Sequence, residues 1–275
     1  MSSKVYDYLG NEIDVIGKVE NSNILENMEL THCYDSAADT RYTIIRVFKQ
    51  KIDGSYQYPF LRMATSGRTP YQERQFEGWD IIINAGMAGN ATALTIENGV
   101  LITDTPGSDH PGRLPLLIDS NGDLSYYPSA DTSGKGQEIL NSGIVSAVVG
   151  WYPLIVDYDE FDYPTGIPGT DTHNWIIAQK QVLGQYANGD YCIITAMGRG
   201  YYGSVGFTVA QMQALCKKIG LKFAYMFDGG GSTQTMLGGK LLTPIYDGEG
   251  ETGRNRPNFI VFNGKSTFSI PDSPA

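Results

Sequence analysis

The chain has 275 residues, of which 41% are hydrophobic and 18% are charged. It therefore has enough apolar side chains for a globular core and lies far from the composition of disordered proteins. The formal net charge of -10 argues against nucleic-acid binding through a general positive field, so any phosphate must be held by local groups. The three cysteines, Cys33, Cys192 and Cys216, lack metal-ligand spacing and are expected to be free, buried thiols of a reducing compartment.

The N-terminal segment differs from the rest of the chain. Residues 1–6 lack the apolar core of a signal peptide, and no apolar run is long enough to span a bilayer. We therefore expect a soluble protein made in the cytosol. Residues 1–25 are polar and acidic and are interpreted as an extension or attachment segment before a domain of residues 26–275. An ordinary edge strand is an equal alternative for this segment.

Short apolar runs rich in β-branched and aromatic residues predict mainly strands. The predicted strands are 41–48, 81–83, 93–97, 116–118, 144–149, 175–178, 192–196 and 259–262. Asn-Gly at 98–99, 121–122 and 188–189 suits two-residue hairpin turns, since both central residues of such turns need positive φ. Gly238-Gly239 predicts a further hairpin.

One helix is predicted from Val209 to Ile219. Thr208 is a suitable N-cap, Gln211 completes a capping box, and Gly220 follows as a C-cap. The helix leads directly into a strand at 223–227. Because most other strands are expected to be antiparallel, the predicted class is α+β, with a mixed, mainly antiparallel sheet and few helices.

A glycine-rich loop follows that strand. Asp228 ends the apolar run, and glycine allows the backbone to approach a ligand closely and to adopt positive φ. Successive N–H groups in such a turn can point at one oxyanion, and hydroxyl groups can add to them. The predicted anion-binding residues of the loop are Gly229, Gly230, Gly231, Ser232 and Thr233. Asp228 is interpreted as a nucleophile, a general base or an orienter of a substrate hydroxyl, or as an Asp that caps its own loop.

Further polar residues lie near predicted strand ends or turns. Arg199, between Gly198 and Gly200, is predicted to clamp a phosphate with two parallel N–H bonds, the alternative being a surface salt bridge. Arg256 is a phosphate-binding candidate or a structural ion pair. Asn84 orients substrate or simply ends a strand.

The acidic and aromatic run at 157–163 resembles a calcium-binding sequence only in part. It lacks the glycine and the distal glutamate of an EF-hand loop. A solvated loop at the rim of the cleft, whose tyrosines offer flat faces for ring stacking, is the favoured interpretation. A divalent cation, calcium, stays open as a cofactor.

Five blocks between residues 81 and 262 resemble the phosphodiester glycosidase family, in the family's order. They are Ile83–Met87, His173–Ala178, Gly198-Arg199 with Ser204–Thr208, Asp228–Ser232, and Arg256 with the strand 259–262. The chain differs from the family's pattern at Met197, Met226 and Trp175, where the family has polar residues.

The resemblance implies a hydrolase that cleaves a sugar-1-phosphodiester, between the anomeric carbon and the bridging oxygen, in a glycan or cell-wall polymer. It implies catalytic roles for Asp228, Arg199 and His173, the last as an acid or base. The start of the chain is similar to phage and prophage members, which adds phage structural proteins as partners and a virion-associated location beside a cytoplasmic one. A homo-oligomer stays open. The alternatives are a phosphodiesterase that breaks P–O and a non-catalytic glycan-binding or structural module of a phage particle.

Overall fold

The computed structural model describes residues 5–6, 12–13, 27–70, 79–86, 93–105, 112–163, 174–244 and 254–262. The strands are β1 (Val5–Tyr6), β2 (Glu12–Ile13), β3 (Met28–Asp35), β4 (Thr40–Val47), β5 (Pro59–Arg68), β6 (Ile81–Asn84), β7 (Thr95–Glu97), β8 (Val100–Thr103), β9 (Leu116–Asp119), β10 (Leu124–Tyr126), β11 (Ile144–Val148), β12 (Tyr152–Val156), β13 (Asp159–Glu160), β14 (Lys180–Gln185), β15 (Tyr191–Ala196), β16 (Phe223–Met226), β17 (Thr235–Leu237), β18 (Lys240–Leu241) and β19 (Arg256–Phe262). The helices with given bounds are α1 (Gly136–Asn141), α2 (Val209–Lys218) and the 3-10 turns Tyr201–Gly203 and Gly230–Ser232.

The strands form three large sheets and one small hairpin. The orders are β13-β12-β16-β14-β15-β4-β3, β18-β17-β6-β19-β5, β10-β9-β11-β7-β8 and β1-β2. Every strand pairing within the described ranges is antiparallel. The predicted α+β class, with a mainly antiparallel sheet and few helices, is confirmed.

The seven-stranded sheet is buried on both faces. Along β15, Tyr191 and Ile193 belong to a core shared by the three large sheets. The alternate residues Cys192 and Ile194 belong to a second cluster that includes apolar residues of α2. Because side chains alternate between faces, this double cover explains why β14 to β16 are buried at every position rather than at every second one.

The predicted helix is confirmed with its N-terminal cap. The side chain of Thr208 accepts from the backbone N–H of Gln211, and the reciprocal bond of the capping box is present. The helix ends one residue earlier than predicted, with Ile219 as the C-cap, and Gly220 has φ +78°.

Two hairpin predictions are confirmed in detail, and two have the wrong turn length. Asn98-Gly99 and Gly238-Gly239 form two-residue turns, and all four residues have positive φ. The turns at 121–122 and 188–189 lie in longer loops, because side-chain bonds shape them differently. The Asp119 carboxylate accepts from the N–H groups of Asn121 and Asp123, and the Asn188 side chain accepts from the N–H of Asp190.

Three further predictions need correction or lie outside the described ranges. No strand spans 175–178: Ile176 and Ile177 are exposed, and β14 begins only at Lys180. The run 157–163 is not a loop throughout, since a two-residue turn with positive φ at Asp157 and Tyr158 joins β12 to β13. Most of residues 1–25 lie outside the described ranges, so their role as an extension stays a prediction.

The three cysteines differ in burial. All three cysteines are free; Cys192 and Cys216 are buried, as predicted, but Cys33 is only partly buried. In the parts of the chain that the structure describes, no helix has the length and hydropathy needed to cross a membrane.

Candidate functional site

The glycine-rich loop joins two sheets. Residues 228–234 run from the end of β16 in the seven-stranded sheet to the start of β17 in a five-stranded sheet. At its start, the N–H of Phe227 donates to the carbonyl of Gln181 at 2.9 Å, and that of Asp228 to the carbonyl of Ala85 at 3.3 Å. Asp228 therefore lies where the two sheets meet, beyond the end of β16.

Asn84 fastens both ends of this loop. Its Nδ2 donates to the carbonyl of Asp228 at 2.7 Å, and its Oδ1 accepts from the N–H of Gln234 at 2.9 Å. The residue is fully buried. Because both ends of the side-chain amide bind backbone, Asn84 positions the loop, and its contact with substrate stays a prediction.

The loop uses several of its own amides. The N–H of Gly230 donates to the carbonyl of Gln179 at 3.0 Å, and those of Ser232 and Thr233 donate to Gly229 and Gly230. The expected row of successive amides facing a phosphate is thus interrupted at Gly230, and the roles of Gly229 and Gly231 remain predictions. A Cβ atom added at Gly229 would lie 2.7 Å from the carbonyl oxygen of Gln179, so glycine is needed there for close packing.

Arg256 holds Asp228 from inside the fold. Its Nη1 lies 3.4 Å from Oδ2 of Asp228 and also donates to the hydroxyl of Ser232. The Arg256 side chain is 4% exposed and that of Asp228 is 15% exposed. Of the two interpretations of Arg256, these contacts favour the structural ion pair. Ser232 is part of the same contact, and the hydroxyl of Thr233 is fully buried.

Two cations lie along one flank of the loop that begins at Asp228. Arg199 covers the loop, since a Cβ atom added at Gly230 would lie 2.8 Å from its Nη2. Lys180, in β14, lies near Gly229 and donates from Nζ to the carbonyl of Ile176 at 3.2 Å. Burial, and secondarily the charge of Arg199, lower the pKa of Lys180 to about 8. A bound anion would favour the charged form of Lys180 and offset its repulsion by Arg199. This flank is therefore suited to bind an anion.

A third cation, Arg113, lies on the opposite flank. Its guanidinium lies over the ring of Trp151 and 5.7 Å from the ring centroid of Tyr152. Trp151 is joined to β16 on the β12 side, because its backbone N–H donates to the carbonyl of Met226. Burial lowers the pKa of Arg113 to about 9, while the nearby Asp228 carboxylate acts in the opposite direction. The guanidinium is therefore still charged at neutral pH.

An aromatic groove adjoins the Arg113 flank. It has a volume of about 570 Å³ and is lined by Glu160, Phe161, Asp162, Tyr163, Asn174, Trp175 and Gln213. The ring of Tyr163 stacks on that of Tyr152 with centroids 5.2 Å apart, and the hydroxyl of Tyr152 donates to the side chain of Asn174. Trp175 is 76% exposed. Tyr152 thus joins the groove to the residues beside Asp228.

Sequence analysis placed Asp228, Arg199, Arg256 and the loop together, and the structure brings them together. His173 lies outside the described residues. Sequence analysis missed Lys180, whose signal was a charged residue just before the apolar run of β14. It also missed Arg113, for which no local pattern exists. Within the described ranges, no group of three or more His, Cys, Asp or Glu side chains is placed to hold a metal ion.

Removal of the Asn84 amide is expected to loosen the loop. Asn84→Ala leaves a buried carbonyl and a buried N–H without this partner, which costs about 1–3 kcal/mol for each unsatisfied group. We expect a lower free energy of unfolding in urea and weaker sulfate binding by calorimetry. The matched control is Gln57→Ala, which removes a buried amide bonded to the carbonyl of Phe48. It should lose stability but keep sulfate affinity; equal loss of affinity in both variants would contradict the assignment.

Sulfate binding is expected to weaken as pH rises through about 8. Lys180 is charged below its lowered pKa and neutral above it, and sulfate itself does not titrate in this range. Loss of a charge-assisted hydrogen bond corresponds to about 1.5–3 kcal/mol, or roughly 10-fold or more in affinity. Calorimetric titrations between pH 6.5 and 9.5 measure this step.

Two variants assign the pH step to Lys180. Lys180→Met should bind sulfate weakly at every pH, and Lys180→Arg should bind it with a much smaller step because its guanidinium stays charged. A flat affinity profile for the unsubstituted protein would rule out Lys180 as an anion ligand.

Solved structures with similar folds come from several organisms. One is the catalytic domain of zebrafish N-acetylglucosamine-1-phosphodiester alpha-N-acetylglucosaminidase, auto-inhibited by its pro-peptide. It matches with a TM-score of 0.65 and 16% identity over 86% of this chain and 82% of that one. Another, a protein from Synechocystis, matches with a TM-score of 0.57 and 13% identity over 86% of this chain and 61% of its own. At these identities the likeness concerns the fold.

Sequence comparison finds a prophage-derived relative and a matching family. The SPbeta prophage-derived protein YomE of Bacillus subtilis is 27% identical over 161 residues, which are 58% of this chain and 24% of that protein. The chain thus spans about a quarter of this relative's length. The expected similarity to phage and prophage proteins is confirmed. The family model of the phosphodiester glycosidases matches residues 77–263, more than half of the chain. The chain therefore belongs to the phosphodiester glycosidase family.

Proposed function

We propose that this protein hydrolyses a sugar-1-phosphodiester in a glycan or cell-wall polymer by cleaving the bond between the anomeric carbon and the bridging oxygen. The observation that carries the proposal is the position of Asp228 between a flank with Lys180 and Arg199 and a flank with Arg113. The zebrafish protein with a similar fold is named as a glycosidase that acts on a sugar-1-phosphodiester, which supports cleavage of the same bond here.

The phosphate is assigned to the flank of Lys180 and Arg199. As the C–O bond breaks, its electron pair moves onto the bridging oxygen and leaves with the phosphate. This leaving group is already an anion, so it needs electrostatic support more than protonation. Donors fixed in place before the reaction are each worth roughly 3 kcal/mol to such a step. Arg199 over Gly230 and Lys180 beside Gly229 would supply them.

Asp228 is assigned to the sugar. A carboxylate beside the anomeric carbon stabilises positive charge that develops there, or activates the water that attacks it. Because Arg256 holds Asp228 at 3.4 Å from inside the fold, we favour the electrostatic role and the orientation of the sugar. The water oxygen bonds to the anomeric carbon, and its proton passes to a base. His173, which precedes the buried Asn174 in the chain, is proposed as that acid or base.

The groove is proposed to bind further sugars of a polymer. Exposed aromatic rings offer flat apolar faces on which sugar rings stack, and Trp175 and Tyr163 provide them beside the site. The prophage-derived relative supports a role in a phage, with phage structural proteins as partners and a virion-associated or cytoplasmic location.

Asp228→Asn is expected to abolish turnover while the fold survives. The substitution removes the negative charge but keeps the shape of the side chain, so transition-state stabilisation is lost. Turnover is measured as the reducing ends released from sugar-1-phosphodiesters and cell-wall polymers, with and without a chelator. The matched control is Asp190→Asn, which breaks a 2.7 Å ion pair with Arg46 at the far end of the sheet. Near-normal turnover in Asp228→Asn would remove the residue from the mechanism.

Hydrolysis in oxygen-18 water tests which bond breaks. Label in the released sugar supports cleavage at the anomeric carbon, and label in the phosphate supports a phosphodiesterase. Tight glycan binding without turnover on any of these substrates would support a non-catalytic module of a phage particle.

Trp175→Ala is expected to weaken the preference for polymers. If sugar stacking is worth as much as an aromatic pair, about 0.5–1.5 kcal/mol, the change is roughly 2- to 12-fold. The measured quantity is kcat/KM for a polymer divided by that for a monosaccharide 1-phosphodiester. Ile52→Ala, which also removes an exposed apolar side chain, is the control and should keep this ratio. An unchanged ratio in Trp175→Ala would exclude the groove as a sugar site.

A further inference from the structure

We infer that Arg113 forms a second anion subsite, on the sugar side of Asp228, so that the preferred substrate carries a carboxylate or phosphate group on the sugar whose bond is cleaved. This inference rests on the proposed function for the direction in which the sugar lies. The presence of the subsite itself does not.

Among the described residues, Arg113 is a buried charge without a hydrogen-bond partner. The residue is 2% exposed, and none of its three guanidinium nitrogens makes a hydrogen bond to any residue that the structure describes. A buried cation is costly unless it is paired and hydrogen-bonded, because it loses its hydration. The ring of Trp151 offsets part of this cost but accepts no directed N–H bonds. A guanidinium in this state is suited to an anionic ligand with oxygen acceptors.

The polar groups around Arg113 are already engaged elsewhere. The hydroxyl of Tyr225 donates to the carbonyl of Leu114 at 2.7 Å and accepts from the N–H of Gly150. The hydroxyl of Tyr152 donates to Asn174, and the carboxylate of Asp228 is held by Arg256. These contacts leave the guanidinium for a group that the ligand brings.

The position of Arg113 separates it from the phosphate site. Arg113 lies on the β12 side of β16, whereas Lys180 lies in β14, on the other side of the same strand. With Asp228 between them, a phosphate next to Lys180 and Arg199 leaves Arg113 to another part of the substrate. The aromatic groove reaches the same flank through Tyr152, so that part is the sugar.

The charge of the groove limits where the anion lies. Its lining contains Glu160 and Asp162, which repel anionic groups and favour uncharged sugars. The cation of Arg113 lies beside the groove: its guanidinium is 5.7 Å from the ring centroid of Tyr152, and that ring stacks on Tyr163 of the lining. The anionic group therefore belongs to the sugar next to Asp228, and not to a sugar farther along the chain.

Thermal unfolding tests whether the subsite binds anions, without any need for turnover. If Arg113 is an unpaired buried charge, Arg113→Met should unfold at the same or a higher temperature than the unsubstituted protein without ligand. It should also lose most of the stabilisation given by glucuronate or glucose 6-phosphate. Arg113→Lys tests the charge in a second variant and should retain part of that stabilisation. Arg46→Met, far from the site and paired with Asp190, is the matched control and should keep it.

Kinetics identify the anion. Three sugar-1-phosphodiesters are compared, with an uncharged sugar, a uronic acid and a sugar phosphate. We expect kcat/KM for one of the two anionic sugars to exceed that for the uncharged sugar at least 10-fold, and this ratio to fall toward 1 in Arg113→Met. Which anionic sugar is preferred separates the carboxylate from the phosphate.

The two proposals fail in different ways. If no substrate is turned over but anionic sugars still stabilise the protein through Arg113, the proposed function fails and the subsite stands. If Arg113→Met unfolds at a much lower temperature, and the unsubstituted protein neither binds nor prefers anionic sugars, Arg113 is structural and the inference is overturned.

Discussion

The candidate site depends on the crossing of one loop between two sheets, which the amide of Asn84 fastens at both ends. The bonds from Asn84 to Asp228 and Gln234 fix the entry and exit of the loop at the meeting point of the sheets. Arg256 then holds the carboxylate, and Gln179 holds Gly230. Because these partners come from three different strands or strand ends, the position of Asp228 requires the whole sheet assembly.

The charge of the site is opposite to that of the chain. The protein carries a net charge of -10, yet Lys180, Arg199, Arg256 and Arg113 surround Asp228 or its loop. Burial in the first place, and the charge of Arg199 in the second, lower the pKa of Lys180. Such a cluster of buried cations lowers the free energy of unfolding when no anion is bound, and a bound anion offsets this loss. The arrangement therefore favours recognition of a negatively charged ligand over stability of the unliganded protein.

Elements that depend on neighbouring residues were predicted well from the sequence, and contacts between residues far apart in the chain were not. The helix 209–218, the turns at 98–99 and 238–239 and the glycine-rich loop depend on neighbouring residues, whose caps and φ requirements can be recognised in the sequence. Arg113 reaches the site only through strand pairing, so no spacing in the sequence indicates it. The error at 176–177 has a similar origin, because β-branched residues predict a strand wherever they occur, and here they are exposed.

The departures from the family pattern now separate into two kinds. Met226 is 2% exposed and packs with the apolar residues around α2, on the opposite face of β16 from the residues that flank it, while Met197 is fully buried. A methionine at these positions fills the core beside the site. Trp175, by contrast, is exposed in the groove, where it changes the surface that a ligand meets. Of the three departures, Trp175 therefore changes a surface that a ligand can reach, whereas the two methionines change the packing of the core.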